Sequence, residues 1–175
     1  MNRMRRVAAL SLCVACLALT ARGCGSQAQD PRLLPSEQRL QGMYEACQTI
    51  QASGPSGALA PIIAEHLKDY PLIDVNTVLV RSNGMRLQGT WSGARLSEVL
   101  SAIGVVEPFT ELRLTAWDGY VAKVSYDLAM RPDTILAYLQ DGQPIPQEDG
   151  PVRLVVGSQD GFYWVRMIVK VEVVP

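Results

Sequence analysis

The chain has 175 residues, of which 16 are Lys or Arg, 17 are Asp or Glu, one is histidine and four are cysteine. That length predicts one domain, and 48% hydrophobic against 19% charged residues is enough to build a buried core. A net charge of −1 provides no electrostatic basis for binding nucleic acid, and a single histidine excludes a histidine-rich metal site.

The first 28 residues have the pattern of a secretory signal. Three early arginines precede Val7–Leu19, an uncharged run shorter than the roughly 20 residues of a membrane-spanning helix. The small residues Ser26 and Ala28 predict cleavage after residue 28, whereas Gly23–Cys24 resembles a bacterial lipobox. We therefore expect export to the bacterial envelope, as a periplasmic protein or as one lipid-anchored at Cys24.

Removal of this segment changes both the charge and the cysteine count. Four arginines and no acid leave, so 12 basic and 17 acidic residues remain and the net charge becomes −5. Cys13 and Cys16 leave as well, so the mature chain keeps Cys47 and, in the lipidated form, a blocked Cys24. No intramolecular disulfide is then expected, and the acidic charge argues further against nucleic acid as a partner.

Residues 29–71 are predicted to form a polar tether followed by a helical extension. The tether ends near Ser36, a suitable helix cap, and apolar side chains then recur with helical spacing over Leu40–Ile50. A second stripe with helical spacing covers Leu59–Tyr70, after a break rich in glycine and proline. The sequence therefore predicts two N-terminal helices.

Two reactive residue types lie in this extension. Cys47 falls on the apolar face of the first predicted helix, where we expect a buried small hydrophobe, because a reactive thiol needs exposure and a nearby cation. His66 falls in the second, and no Cys, Asp or Ser stands at a matching local spacing. A structural or surface role is therefore expected for His66.

From residue 72 to residue 175 the pattern favours a mixed α+β domain rich in strands. Asn83-Gly84 and Asp118-Gly119 are turn signals between paired strands, and a helical stripe over Leu96–Ile103 ends at Gly104. The predicted strands are Val78–Val80, Met85–Thr90, Leu112–Trp117, Tyr120–Tyr126, Ile135–Leu139, Val152–Val156 and Phe162–Val174. Many short strands with few helices argue against a doubly wound parallel sheet.

Four short motifs follow one another in this domain. They are Trp-Ser-Gly at 91–93, Asp-Gly-Tyr at 118–120, Ile-Leu-Ala-Tyr at 135–138 with Asp-Gly-Gln-Pro at 141–144, and Gly-Pro-Val-Arg-Leu-Val at 150–155 followed by Trp-Val-Arg at 164–166. In this order they resemble the oxidoreductase molybdopterin-binding domain of the sulfite oxidase family, especially its short, single-domain bacterial members. The resemblance covers roughly residues 72–175.

The resemblance implies a compact, β-rich α+β fold around a pterin pocket, with oxygen-atom transfer at a molybdenum bound by one cysteine thiolate. Soft sulfur suits a redox transition metal. The family places this cysteine shortly before the Trp-x-Gly motif, yet the corresponding segment 80–86 contains none. Arg81 or Ser82 falls at that position, and neither replaces a thiolate, since a guanidinium stays protonated and a serine alkoxide is costly at neutral pH. We therefore expect no metal ligand here.

The resemblance also implies five pocket residues, which are Trp91, Asp118, Tyr120, Arg153 and Arg166. Arg153 follows the family's Gly-Pro pair and Arg166 matches a basic position near the pterin phosphate, so each is a candidate for holding an anion. Structural alternatives stay open: an arginine paired with an acid for Arg153, a solvent-facing charge for Arg166, turn chemistry for Asp118 and a core anchor for Trp91.

Two functions are compatible with these observations. The missing cysteine favours an exported binding or accessory protein that has lost the cofactor, and that binds a small anionic ligand or a protein partner in the envelope. The alternative is a molybdopterin-dependent oxidoreductase that carries out oxygen-atom transfer in the periplasm. The enzyme alternative depends on family analogy, and a fold alone does not decide function.

Overall fold

The computed structural model describes residues 36–80, 84–106, 108–157, 159 and 161–175. The helices of this part are α1 (Ser36–Ala46), α2 (Leu96–Ala102) and α3 (Tyr126–Ala129). Its strands are β1 (Thr49–Gly54), β2 (Gly57–Ala58), β3 (Ile62–Ile63), β4 (Ile73–Val80), β5 (Arg86–Arg95), β6 (Glu111–Ala116), β7 (Val121–Ser125), β8 (Thr134–Gln140), β9 (Gln143–Pro144), β10 (Arg153–Val156) and β11 (Ile168–Val174). The predicted signal segment lies outside the described residues.

The described strands form two sheets. The first has the order β2-β1-β11-β6-β7, with β3 also paired to β1, and the second has the order β10-β8-β5-β4, with β9 on β8. Strands β1 and β11 run parallel, with Ala52 opposite Val171, and the other described pairs are antiparallel. The predicted mixed, β-rich fold is confirmed.

The predicted strand pairs and the central helix are also confirmed. Strand β4 pairs with β5 and β6 pairs with β7, as predicted. The pairing of β8 with the two-residue strand β9 was not predicted. Asp141 and Gly142 have φ of 50° and 75°, which is the geometry of a two-residue hairpin turn. Helix α2 buries Leu96, Val99 and Leu100, as its spacing predicts.

The N-terminal extension differs from the prediction. A helix is present at Ser36–Ala46, but the second predicted helix, Leu59–Tyr70, is wrong: this stretch holds β3 and a 3₁₀ turn at Glu65–Asp69. The physical reason is a distant pairing. Strand β1 lies beside β11, and Ile62 then pairs back onto Ile50, so sheet hydrogen bonds replace the local helix that the spacing favours.

Each face of the second sheet packs against its own core. Successive side chains of a strand point to opposite faces, so Leu136 and Leu154 join the main core between the sheets, whereas Ile135 and Val155 point the other way. The cluster on this other face, called the tryptophan core below, consists of Val75, Leu79, Trp91, Ile135, Ala137, Ile145, Val155 and Trp164.

A close approach between β5 and β8 positions Trp91 in the tryptophan core. The register of this pair shifts between Ser92 and Gly93, and a β-carbon at Gly93 would overlap the backbone of Leu136 and Ala137. Trp91 and Ala94 are three residues apart on β5, so strand alternation directs them to opposite cores. Among the described residues, no helix has the length and apolarity needed to cross a membrane.

Candidate functional site

Arg153 is a buried cation at the edge of the tryptophan core. It lies on β10 two residues before Val155, so the same alternation that buries Val155 directs Arg153 to this face. The residue is 6% exposed. A guanidinium in such a place needs compensating partners, because removing an ion from water costs several kcal/mol (about 5 in order of magnitude).

Two indole rings provide part of that compensation. The rings of Trp91 and Trp164 meet edge to face, with centroids 5.4 Å apart and an interplanar angle of 88°. The guanidinium carbon of Arg153 lies 5.2 Å from the centre of the Trp91 ring and 5.8 Å from that of Trp164. Both distances permit cation–π attraction.

The two indole N–H groups differ. Trp164 Nε1 donates to the carbonyl oxygen of Val156 at 3.1 Å. Trp91 is fully buried, and its Nε1 has no hydrogen-bond partner among the described residues. A buried donor left unpaired costs about 1–3 kcal/mol, so the environment of Trp91 Nε1 is energetically unfavourable in the described part of the chain.

Asp149 joins the two candidate arginines. Its Oδ2 lies 3.2 Å from Nη1 of Arg153, and its Oδ1 accepts a hydrogen bond from Nη1 of Arg166 at 3.0 Å. The exposed fractions of the three side chains are 7% for Arg153, 11% for Asp149 and 54% for Arg166. We call Asp149, Arg153 and Arg166 the arginine–aspartate cluster; it spans from the tryptophan core to the surface.

The backbone holds Asp149 in place. It ends a 3₁₀ turn at Gln147–Asp149, where its N–H donates to the carbonyl of Pro146 at 2.8 Å. Its own carbonyl accepts from the N–H of Met167 at 3.3 Å. Gly150 follows with φ of 89° and lies so close to Met167 that a β-carbon there would be tightly packed. The carboxylate is therefore presented from a fixed turn.

The motif resemblance did not indicate Asp149. The sequence nevertheless contained a local signal. Asp149 stands four residues before Arg153, and an acidic partner for Arg153 was one of the structural alternatives. The structure thus brings Trp91, Arg153 and Arg166 together and adds Asp149 and Trp164.

Asp118 and Tyr120 lie at the turn between β6 and β7. The carboxylate of Asp118 accepts from the backbone N–H of Tyr120 at 3.0 Å, and the Tyr120 hydroxyl donates to the carbonyl of Phe162 at 2.7 Å. No hydrogen bond or ion pair between described residues joins either side chain to the arginine–aspartate cluster.

Cys47 is buried, as predicted, but it follows α1 instead of belonging to it. Its Sγ lies 3.8 Å from Sδ of Met167. Burial raises the pKa of the Cys47 thiol to about 11, so the thiol stays protonated near neutral pH. His66 is exposed on the 3₁₀ turn at Glu65–Asp69.

Among the described residues, no group of three or more His, Cys, Asp or Glu side chains is arranged to hold a metal ion. Arg81 and Ser82, which fall where the family's thiolate is expected, lie outside the described residues.

Comparison with known proteins decides the family. The model of the oxidoreductase molybdopterin-binding domain matches residues 69–175. The chain belongs to this family. The resemblance inferred from the motifs is therefore confirmed.

Named relatives and a solved structure agree with this assignment. Mitochondrial sulfite oxidases of Homo sapiens and Macaca fascicularis are each 35% identical over 152 residues, covering 69% of this chain and 28% of theirs. The fold also resembles a chain of the sulfane dehydrogenase SoxCD from Paracoccus pantotrophus, with a TM-score of 0.65 and 19% identity over 73% of this chain and 39% of that one. The molybdopterin-binding domain family member described here thus spans less than a third of the sulfite oxidases that it matches.

The residues present do not fit a molybdenum held through cysteine. The Cys47 thiol is buried beside Met167 with a pKa of about 11, and segment 80–86 contains no cysteine. A thiolate ligand must be deprotonated, which burial in an apolar site opposes.

Proposed function

We propose that this chain is an exported binding or accessory protein that keeps the family fold and binds a small anionic ligand without molybdenum chemistry. The proposal depends mainly on the buried guanidinium of Arg153, which lies near two indole rings and is linked through Asp149 to Arg166. Guanidinium groups bind carboxylate and other oxyanions through parallel N–H donors.

Three donors support an anion site at this end of the tryptophan core. Arg153 and Arg166 supply positive charge, and Trp91 Nε1 supplies a buried N–H whose partner is absent from the described residues. Few, convergent polar groups on an apolar wall are typical of small-molecule sites. The proposed ligand is a small oxyanion or the anionic group of a larger molecule.

The metal content of the protein tests the loss of cofactor. We expect no molybdenum by elemental analysis, and no pterin fluorescence after denaturation, when the protein is purified from a host that makes molybdopterin. Near-stoichiometric molybdenum would instead establish the molybdopterin-dependent oxidoreductase. A Cys47→Ser variant is the matched control, because metal that disappears with this change is bound through Cys47.

Ligand-dependent stability tests the pocket. We expect sulfate, at constant ionic strength, to raise the melting temperature of the wild-type protein and to raise that of Trp91→Phe less. This substitution keeps an aromatic ring and removes the N–H donor. A lost hydrogen bond to a charged ligand reduces affinity by about ten- to a hundredfold, or about 1.5–3 kcal/mol. Equal sulfate effects on both proteins would exclude Trp91 Nε1 as a ligand donor.

We propose the periplasm, or a lipid anchor in the envelope, as the location of the protein. The support is the basic and apolar pattern of the first 28 residues. The intact mass of the protein from a bacterial envelope fraction should match either a chain beginning at Gln29 or one with a lipid on Cys24. If the protein is lipidated, a Cys24→Ser variant loses the mass of the lipid. If the mature chain begins at Gln29, Cys24 has already been removed and the variant has the same mature mass as the wild type. An unprocessed chain in the cytoplasm would contradict export.

A further inference from the structure

We propose that Asp149 determines the charge specificity of the anion site, disfavouring doubly charged oxyanions relative to singly charged ones. The inference deepens the proposed function and rests on it. Nothing in the motif pattern points to this residue; the position of its carboxylate between two guanidinium groups does.

The geometry places a negative charge where a ligand anion would approach. One carboxylate oxygen lies 3.2 Å from Nη1 of Arg153 and the other lies 3.0 Å from Nη1 of Arg166. The Asp149 side chain is only 11% exposed, so water screens it weakly. Any oxyanion that contacts either guanidinium therefore comes close to the Asp149 carboxylate.

The carboxylate is fixed in that place. Hydrogen bonds of the backbone hold Asp149 on both sides, from its N–H to the Pro146 carbonyl and from the Met167 N–H to its carbonyl. Turning the side chain away would leave a carboxylate unpaired at low exposure, which is strongly unfavourable. Asp149 therefore acts as a permanent part of the site.

Coulomb repulsion between Asp149 and a ligand grows in proportion to the ligand's charge. At equal distance, sulfate is repelled twice as strongly as formate. Sulfate also loses more hydration energy on entering a poorly solvated site, because a dianion is more strongly hydrated than a monoanion. Both effects favour a singly charged oxyanion at this site.

The experiment compares sulfate and formate binding to the wild-type protein, Asp149→Asn and Glu172→Gln, by calorimetry at constant ionic strength. Asp149→Asn keeps the side-chain shape and removes the charge, whereas Glu172→Gln removes one charge from an exposed pair with Lys170. We expect the ratio of sulfate to formate affinity to rise about tenfold in Asp149→Asn, because the like-charge repulsion that disfavours the dianion is removed. It should stay unchanged in Glu172→Gln.

The possible results separate this inference from the proposed function. An unchanged ratio in Asp149→Asn, or an equal rise in Glu172→Gln, overturns the role of Asp149 and leaves the anion site standing. Failure of all three proteins to bind either ion overturns the site and the inference together. If Asp149→Asn does not fold, Asp149→Ser replaces it. Independently of the variants, wild-type protein is expected to bind formate at least as tightly as sulfate, and tighter sulfate binding overturns the inference.

Discussion

At the scale of single residues, Arg153 shows how a cation is accommodated in an apolar core. The guanidinium faces two indole rings, and Asp149 supplies an opposite charge at 3.2 Å. A well-partnered buried ion pair is often no more stable than an apolar replacement, but removing one member leaves the other charge buried. Loss of Arg153 therefore removes one of the two guanidinium partners of Asp149, together with the cation that lies over the two indole rings.

We expect Arg153→Ala to lower the free energy of unfolding by about 3 kcal/mol, measured by urea denaturation, since about 3–5 kcal/mol is typical for breaking a buried pair. The matched control is Arg131→Ala. Arg131 also pairs with an aspartate, Asp133, but the two side chains are 33% and 31% exposed. A more exposed pair contributes about 1 kcal/mol or less. Equal losses of free energy of unfolding in both variants would contradict the larger cost assigned to breaking the buried Arg153–Asp149 pair.

Cys47 predicts how stability changes at alkaline pH. Burial raises its pKa from 9.0 to about 11, so the folded protein binds the thiol proton more tightly than the unfolded chain does. The resulting stabilisation is fully present below pH 9 and is lost as the pH rises from 9 to 11. Its full size is about 3 kcal/mol, because each of the two pKa units corresponds to about 1.4 kcal/mol; most of it is lost by pH 11.

The measurement is the free energy of unfolding between pH 8 and 11 for the wild-type protein and Cys47→Ala, in which no thiol titrates. The wild-type protein should lose about 2 kcal/mol more than the variant across this range. Parallel pH profiles would contradict a raised pKa at this position.

At the scale of secondary-structure elements, Gly93 controls how closely β5 approaches β8. We expect Gly93→Ala to destabilise the protein by about 3 kcal/mol or more, since an added methyl group must displace the backbone of Leu136 and Ala137. Gly42→Ala is the control, because a β-carbon there has open space within α1 and alanine favours a helix by about 1 kcal/mol. The measurement is the melting temperature of both variants. A decrease in Gly93→Ala alone would show that the close contact with β8 matters, whereas equal decreases would indicate a general effect of replacing glycine.

Local signals predicted the elements whose hydrogen bonds are local. Asp-Gly at 118–119 and at 141–142 marked turns that the structure contains, and the stripe over Leu96–Ile103 marked α2. Strand β1 was missed because its partner β11 lies at the other end of the described chain. The spacing of apolar residues over Leu59–Tyr70 is compatible with one helix and also with a short strand followed by a 3₁₀ turn. The pairing of β3 with β1 selects the second arrangement.

The candidate site was predicted only in part, for a similar reason. Strand alternation places Arg153 on the face of Val155, but it does not reveal that Trp91, from β5, lies on the same face across an intervening strand. Asp149 was missed because it lies in a short turn, where no helical or strand spacing indicates the direction of a side chain. Asp118 and Tyr120 match the motif, yet their described hydrogen bonds stay within the β6–β7 turn and the carbonyl of Phe162.

At the scale of the whole molecule, the N-terminal extension is part of the first sheet. Strand β1 covers one edge of β11. The buried side chains of the extension are Cys47, Ile50, Ala52, Ile62, Ala64 and Leu67. The family match begins only at residue 69. A chain cut at that point would expose the edge of β11 and lose part of the main core.

We therefore expect a fragment of residues 69–175 to lack a cooperative unfolding transition and to aggregate. A fragment of residues 47–175 should unfold cooperatively, because it omits α1, which has no buried residue, and keeps β1. Circular dichroism and size-exclusion chromatography distinguish these outcomes. Cooperative unfolding of the shorter fragment would contradict a structural role for the extension.

The pairing of β1 with β11 also has a consequence for folding during synthesis. Strand β11 lies between β1 and β6, so the first sheet stays incomplete until Ile168–Val174 has left the ribosome. Topologies dominated by such distant contacts fold in about milliseconds to seconds, whereas helical bundles fold in about microseconds. A chain that stays open this long can still be threaded through a narrow translocation channel, so the late closure of the sheet is compatible with the export that we propose.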